Sequence, residues 1–201
     1  MELLLPRACA GCAVAGTVLC PRCREVLAAV PRRVDTVVDT HVPVFALGPY
    51  AEAHRGVILA AKERGNLAVR RLVGAVIGAG VRHLQAAGEL THDVVLVPAP
   101  TRQRSARLRG GDPVSAFCHS SGLPAVDLLR LDPATADQTG LGASGRRANM
   151  AGRVRLHRAA PGSPVVLVDD VVTTGATLAA SVERLLIAGA TVQAALVVAA
   201  A

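Results

Sequence analysis

From about residue 44 onward, short apolar runs typical of strands alternate with longer segments that have the hydrophobic period of a helix. Compact apolar runs rich in valine have the length and composition of buried strands. The strand candidates are residues 44–47, 94–97, 165–168 and 191–199. Longer stretches of helical character lie between them, with Gly65-Asn66 as a breaker and Asp112-Pro113 as a helix start. The helix candidates are residues 52–63, 67–87 and 175–188.

Strands that alternate with helices predict an α/β layer fold with a mainly parallel sheet. Residues 1–30 follow a different pattern and contain four of the five cysteines. A proline-containing stretch follows them. We therefore expect a small metal-binding segment at 1–30, a linker at 31–43 and the α/β domain at 44–201.

Composition narrows the classes of protein. The chain has 201 residues, 51% of them hydrophobic, and a net charge of +7 that is carried almost wholly by arginine. A basic chain can favour nucleic acid, an acidic membrane surface or a phosphorylated small molecule, and a GC-rich genome gives the same bias. Apolar runs fall short of the roughly 20 residues of a membrane span, and the first residues lack the charged start of a signal peptide. We expect a cytoplasmic protein that does not insert into membranes.

The first 30 residues carry two Cys-x-x-Cys motifs seven residues apart, Cys9/Cys12 and Cys20/Cys23. Two such motifs supply the four thiolates of a tetrahedral zinc site, and a closed shell of this kind is structural. In a reducing cytoplasm clustered cysteines favour metal over disulfides. The alternative of paired redox dithiols fits less well, because a thioredoxin-like motif occurs once, after a strand. Cys118 lies in an apolar helical stretch and is expected to fill the core.

The segment from Val165 to Thr177 carries the main candidate chemistry. A buried strand delivers Asp169 and Asp170 to its carboxyl end, where open α/β sheets bind ligands. Three threonine hydroxyls, Gly175 and the N-terminus of the next helix can then surround a phosphate. The carboxylates cannot face that phosphate, but they suit a sugar diol and a bound Mg²⁺. The pattern indicates a pentose phosphate ligand, and it lacks the lysine of a Walker loop.

The segment from Val165 to Thr177 resembles the phosphoribosyl pyrophosphate (PRPP) motif of type I phosphoribosyltransferases. With the cysteine motifs in front, the chain resembles the ComF family, which is linked to competence and DNA uptake. Three further stretches are similar to that family. They are Tyr50 to Gly65 with Lys62, Val97-Pro98-Ala99-Pro100 to Gly110, and Gln138 to Asn149.

The resemblance implies a type I phosphoribosyltransferase fold, with Asp169 and Asp170 as the catalytic acidic pair and PRPP bound with Mg²⁺. Arginines after the strand 94–97 are candidates for the pyrophosphate side, because guanidinium groups pair bidentately with phosphate oxygens. These are Arg102, Arg104, Arg107 and Arg109. The PRPP-binding residues it implies are Val168, Asp169, Asp170, Val171, Val172, Thr173, Thr174, Gly175, Ala176 and Thr177.

Three hypotheses of function stay open. The first is an enzyme that transfers phosphoribosyl to an unknown acceptor. The second is a sensor that binds PRPP or a nucleotide without turnover, because Gly111-Asp112-Pro113 replaces the family's usual Phe-Asn-Gln after Arg-Gly. The third is a DNA uptake or processing accessory that contacts nucleic acid, single-stranded DNA included. The histidines show no metal spacing, so we expect His54 at the surface, and the oligomeric state stays open.

Overall fold

The structure, a computed structural model, describes residues 8–62, 66–101, 111–132 and 154–201. The strands in these ranges are β1 (Arg32–Val34), β2 (Val44–Ala46), β3 (Val95–Pro98), β4 (Leu129–Leu131), β5 (Val154–Leu156), β6 (Val165–Val172) and β7 (Val192–Ala200). The helices are α1 (Pro21–Leu27), α2 (Glu52–Lys62), α3 (Leu67–Ala86), α4 (Pro113–His119) and α5 (Ala176–Ile187). None of these helices is both long and apolar enough to cross a membrane.

A five-stranded sheet in the order β1-β2-β7-β6-β3 forms the centre of the molecule. Strands β2, β7, β6 and β3 pair in parallel, and β1 is added antiparallel at one edge. Helices cover both faces. One apolar core lies under α2, α3 and α4, and a second lies under α5. The predicted α/β class with a mainly parallel sheet is therefore confirmed.

Strand β6 is longer than its apolar run predicts. The sequence indicated a strand that ends at Val168, whereas β6 continues through both aspartates to Val172. The neighbouring strand explains the difference, because parallel pairing with β7 extends to the partners Val172 and Ala200. Backbone pairing on a long partner satisfies the peptide groups, so two polar side chains do not end the strand.

Two features of the sheet layer have no counterpart in the predicted elements. Part of the stretch predicted as a linker is β1, which pairs with β2 in the register Arg33 to Phe45. The connection from β1 to β2, residues 35–43, is called the strap below. Strands β4 and β5 form a separate two-stranded antiparallel sheet. Three-residue strands of this kind carry too little pattern to be recognised from sequence.

The cysteine-rich segment packs directly on α2. Cys9, Leu19 and Leu27 are buried in the same core as the inner faces of α2 and α3. Gly56 of α2 permits this contact, because a Cβ there would lie 2.3 Å from the carbonyl oxygen of Gly11. The predicted zinc segment therefore shares its apolar surface with the α/β layers.

Candidate functional site

The two adjacent carboxylates, Asp169 and Asp170, lie inside β6 near its carboxyl end. Side chains alternate between the two faces of a strand. Val168 packs in the core under α2 and α3, whereas Leu167 packs in the core under α5. Asp170 accordingly meets the end of α2, and Asp169 borders the loop that leads to α5. The acidic pair thus occupies one edge of the sheet with its members directed to different neighbours.

Lys62 forms an ion pair with Asp170. The Nζ atom lies 2.6 Å from Asp170 Oδ2, and the two side chains are 29% and 15% exposed. Lys62 is the last residue of α2 and the only lysine in the chain. Sequence reasoning gave Lys62 no role in the site. The available signal was a lone lysine at the end of a predicted helix.

Asp169 stands in an unusual electrostatic environment. Burial raises its pKa to about 8, and the neighbouring Asp170 carboxylate adds to the shift. The N–H of Asp170, which donates to Asp169 Oδ1 over 2.8 Å, and the Lys62 ammonium act in the opposite direction. Perturbed carboxyl groups of this kind are concentrated at functional sites.

Residues 171–177, which the sequence predicts to bind phosphate and which are called the phosphate loop below, span the end of β6, the turn at 173–175 and the start of α5. The turn depends on Gly175, the N-cap of α5, which has φ +85° in the left-handed region that favours glycine. Within the part of the chain that the structure describes, no side chain caps α5, apart from a long 3.4 Å contact between the N–H of Ala176 and Thr174 Oγ1. The N–H groups of the first turn therefore lack intrahelical acceptors. Asp169 and the residues from 171 to 178 line a depression of about 40 Å³.

The strap holds the phosphate loop from one side. The N–H of Val38 donates to the carbonyl oxygen of Thr174 over 2.9 Å. Thr36 packs against Gly175 so closely that a Cβ at Gly175 would lie 2.8 Å from Thr36 Cβ. The Thr36 hydroxyl donates to the Val38 carbonyl over 2.7 Å, which closes the tip of the strap. The loop is thus braced by a segment more than 130 residues away in sequence.

Asp112 lies near this edge but has a local structural role. Its Oδ1 accepts from the N–H of Val114, at 2.9 Å, and from the Thr101 hydroxyl, at 3.2 Å, and so caps α4 as predicted. Burial raises the pKa of Asp112, and these donors oppose the shift. Cys118 of α4 is fully buried, which confirms its expected place in the core.

Part of the predicted site lies outside the described residues. The four candidate arginines for pyrophosphate, the Arg-Gly loop they belong to and the segment Gln138–Asn149 fall in this part. Their roles stay predictions. The structure does place the N-terminal flank of the arginine loop, because Ala99 N–H donates to the carbonyl oxygen of Val168 over 2.7 Å. That flank therefore begins beside the acidic pair.

The four N-terminal cysteines converge, as their spacing predicted. All four Sγ atoms lie within 4.8 Å of one another, and Cys12 Sγ and Cys20 Sγ are 3.7 Å apart. Sulfurs around a tetrahedral zinc ion, with bonds of about 2.3 Å, stand about 3.8 Å apart. The residues present therefore fit a metal such as zinc. The N–H of Cys20 supports the set by donating to Cys9 Sγ over 3.3 Å.

Within the cysteine cluster, the pKa values of Cys9 and Cys23 are shifted in opposite directions. Burial acts to raise the pKa of Cys9, but N–H groups of Cys20, Cys12 and Gly11 outweigh it and lower the pKa to about 6. Burial raises the pKa of Cys23 far above its usual value, and the other three sulfurs add to this shift. Several thiols forced together without a cation favour protonation of some of them, which a bound metal would relieve.

The expectation that His54 lies at the surface is wrong. Its side chain is 2% exposed, because α2 presents this face to the sheet, and Gly48 lies against the ring. Burial lowers the pKa of His54, and a hydrogen bond to the backbone of Leu47 opposes the shift. Its Nε2 atom is buried, and none of the described residues forms a hydrogen bond with it. The sequence signal that could have placed His54 inward was the 3.6-residue period of the predicted helix, which puts this position on the buried face.

Comparisons with known proteins do not identify a family for the chain. No family model and no curated protein matches the chain. Among solved structures, it is similar to an orotate phosphoribosyltransferase of Mycobacterium tuberculosis H37Rv, solved in complex with Fe(III) dicitrate. The match has 20% identity, covers 85% of this chain and 78% of that one, and has a TM-score of 0.36. A similarity at this level carries no argument about activity, and membership of the ComF family stays a prediction.

Proposed function

We propose that the protein binds PRPP or a closely related pentose phosphate, together with Mg²⁺, between Asp169 and the start of α5. The observation that carries this proposal is the depression lined by both Asp169 and the start of α5. A carboxylate lines one end of it, and a glycine-turned helix N-terminus with threonine hydroxyls lines the other. Few ligands need both an anion site and a diol site at one loop, and pentose phosphates are among them.

The phosphate of the ligand belongs at the helix end. Uncapped N–H groups and the helix dipole favour an anion there, by about 0.3–1 kcal/mol at an exposed site and more where partly buried. The braced backbone of Thr174 keeps these donors in place without the ligand. Preorganised donors reduce the cost of ordering the loop on binding.

The sugar belongs at the acidic end. A ribose diol offers two hydroxyl donors, and Asp169 and Asp170 supply carboxylate acceptors at the same sheet edge. Carboxylate oxygens are also ligands that Mg²⁺ accepts, so the donor set fits the ion. When bound, Mg²⁺ would supply charge neutralisation for a departing pyrophosphate. The chain's own carboxylates would hold the diol and orient the anomeric carbon.

Transfer of the phosphoribosyl group follows from this arrangement as the proposed reaction. The bond between the anomeric carbon and a pyrophosphate oxygen breaks, pyrophosphate leaves with the electron pair, and an acceptor lone pair forms the new bond. The predicted arginines would stabilise the charge on pyrophosphate. The type I phosphoribosyltransferase fold is part of the same proposal.

A PRPP sensor is the second candidate, and one observation favours it. The position where the ComF family has its substrate loop is occupied by Asp112, whose carboxylate accepts three hydrogen bonds within helix α4 and its flank. A side chain committed to capping is not free for a substrate. Binding without turnover is the outcome this candidate predicts.

Calorimetry with PRPP and Mg²⁺ tests the proposal. At a pH above 8, where Asp169 is ionised, we expect Asp169→Asn and Asp170→Asn each to weaken binding about 10- to 100-fold, because each removes a charge-assisted hydrogen bond of roughly 1.5–3 kcal/mol. Asp93→Asn, an exposed aspartate outside the site, is the matched control. Equal affinity in wild type and both site variants would refute the proposal. Pyrophosphate release with a panel of bases and amines then separates the enzyme from the sensor.

A further inference from the structure

The ion pair between Lys62 and Asp170 occupies one of the two carboxylates that the proposed function assigns to the sugar and Mg²⁺. The ammonium lies 2.6 Å from Asp170 Oδ2, within direct contact, and both side chains are mostly shielded from water. An ammonium ion and a divalent cation prefer the same oxygen lone pairs. The structure therefore contains a cation of its own at the acidic pair.

Lys62 is held in this position by the packing of its helix end. Ala61, directly before it, is fully buried, and its carbonyl oxygen accepts from Arg70 Nε over 3.1 Å. Asn66 caps α3 immediately afterwards by accepting from the N–H of Val69. The last turn of α2 is thus fixed against α3, while the four-carbon side chain of Lys62 keeps its own rotational freedom. A fixed helix backbone and a flexible side chain together allow the ammonium group to move while α2 stays in place.

Two cations cannot share one carboxylate at low cost. An ammonium and Mg²⁺ on the same group stand about 5 Å apart, where their repulsion is strong at protein-like screening. We propose that Lys62 is the exchangeable counter-ion of Asp170: its ammonium neutralises Asp170 in the metal-free protein and leaves when Mg²⁺ takes the carboxylate. The released ammonium is then available to phosphate oxygens of the ligand. This inference rests on one part of the proposed function, the binding of Mg²⁺ at the acidic pair.

The lone lysine makes the exchange directly observable. Lysine labelled with ¹³C at Cε gives one side-chain signal, from Lys62, in a proton–carbon correlation spectrum. We expect MgCl₂ alone to move this signal toward the position it has in Asp170→Asn, where the ion pair is absent. We expect the Asp170→Asn signal to ignore Mg²⁺, and Asp93→Asn to behave as wild type. A Lys62 signal that stays in place at saturating Mg²⁺ would overturn the proposal.

Calorimetric titration with MgCl₂ gives a second, independent measurement. Removing the competitor in Lys62→Met is expected to strengthen Mg²⁺ binding by roughly tenfold or more, because Mg²⁺ carries two charges and is repelled by a nearby ammonium even at water-like screening. Arg55→Met, which removes an exposed positive charge from the same helix, should bind Mg²⁺ as wild type does. Circular dichroism checks that each variant is folded. Equal Mg²⁺ affinity in folded Lys62→Met and wild type would contradict the exchange.

The two proposals fail separately in this design. Adding PRPP tests the ligand, and MgCl₂ alone tests Lys62. If Mg²⁺ displaces Lys62 and PRPP does not bind, the counter-ion exchange stands and the phosphoribosyl ligand is refuted. If PRPP with Mg²⁺ binds and the Lys62 signal does not move, the ligand stands and the exchange is refuted.

Discussion

Replacing Gly175 with alanine perturbs the contact between the strap and the phosphate loop. Gly175 has φ +85°, and a Cβ there would lie 2.8 Å from Thr36 Cβ and 3.2 Å from Thr36 Cγ2. Two separate costs follow, one from the left-handed backbone and one from the close contact. They can be separated because the chain has another glycine that carries only the first cost.

The backbone cost is about 1–2 kcal/mol for an L-residue in this conformation. Carbon atoms pack best at about 3.5–4.0 Å, so a contact of 2.8 Å requires the strap or the loop to shift. Overpacking of this kind typically costs a further 1–3 kcal/mol. Gly189 has φ +81°, and no atom of the described residues lies within 4 Å of its Cβ position, so Gly189→Ala is the matched control. The difference in the loss of unfolding free energy between Gly175→Ala and Gly189→Ala measures the cost of the contact with the strap.

Urea unfolding of both variants gives the free energies of unfolding, and thermal melts give a check. For a domain of this size, 1 kcal/mol corresponds to about 2–4 °C in Tm, so Gly175→Ala should melt about 2–12 °C below Gly189→Ala. Thr36→Gly removes the opposing Cβ. In that background, Gly175→Ala should cost no more than Gly189→Ala does.

Two results would refute the reasoning. Equal destabilisation by Gly175→Ala and Gly189→Ala would mean that Thr36 does not press on the loop. An excess that survives in the Thr36→Gly background would place the opposing atoms elsewhere. In either case the strap would no longer explain how the phosphate loop is held.

The remaining predictions concern the metal and pH. Purified protein should contain one zinc ion per chain by elemental analysis, and Cys12→Ser should lose it while Cys118→Ala keeps it; a metal-free native protein contradicts this. Because metal binding supplies about 10–16 kcal/mol in zinc peptides, chelation should lower Tm markedly by loosening the segment on α2. His54 has a lowered pKa, so the unfolded chain takes up a proton below about pH 6.5 that the folded protein rejects, and stability should fall as pH drops through this value. Melts at pH 7.5 and 5.0 should show a smaller loss for His54→Gln than for wild type, and an equal loss would count against the assignment.

The sequence predicted those parts of the fold that local pattern encodes. The valine runs at residues 94–97 and 165–168 have the composition of buried parallel strands, and both form parallel strands of the main sheet, with β3 at its edge and β6 beside it. The Asp112 cap and the cysteine spacing were likewise sufficient, because each depends on residues within about 15 positions. The buried parallel strands, the cysteine cluster and the acidic pair could all be predicted from such short-range signals.

Long-range contacts could not be predicted in the same way. The partner of Asp170 is Lys62, which is distant in sequence and reaches it only because α2 packs on the face of the sheet that carries Val168 and Asp170. The brace on Thr174 comes from Val38, in a stretch with no strong hydrophobic period. The length of β6 depends on β7, its partner, more than on its own side chains. These features arise from tertiary packing, which overrides local propensity.

The lone lysine at the end of α2 also determines how the protein responds to amine chemistry. Apart from the α-amino group, Lys62 is the only primary amine in the chain. Coupling to an activated carboxyl surface, biotinylation with an ester reagent or fixation with an aldehyde would therefore attach at the α-amino group or at the edge of the proposed ligand site. Immobilisation for binding studies should use another handle, and acylation of a protein whose α-amino group is blocked would place a fluorophore beside Asp170.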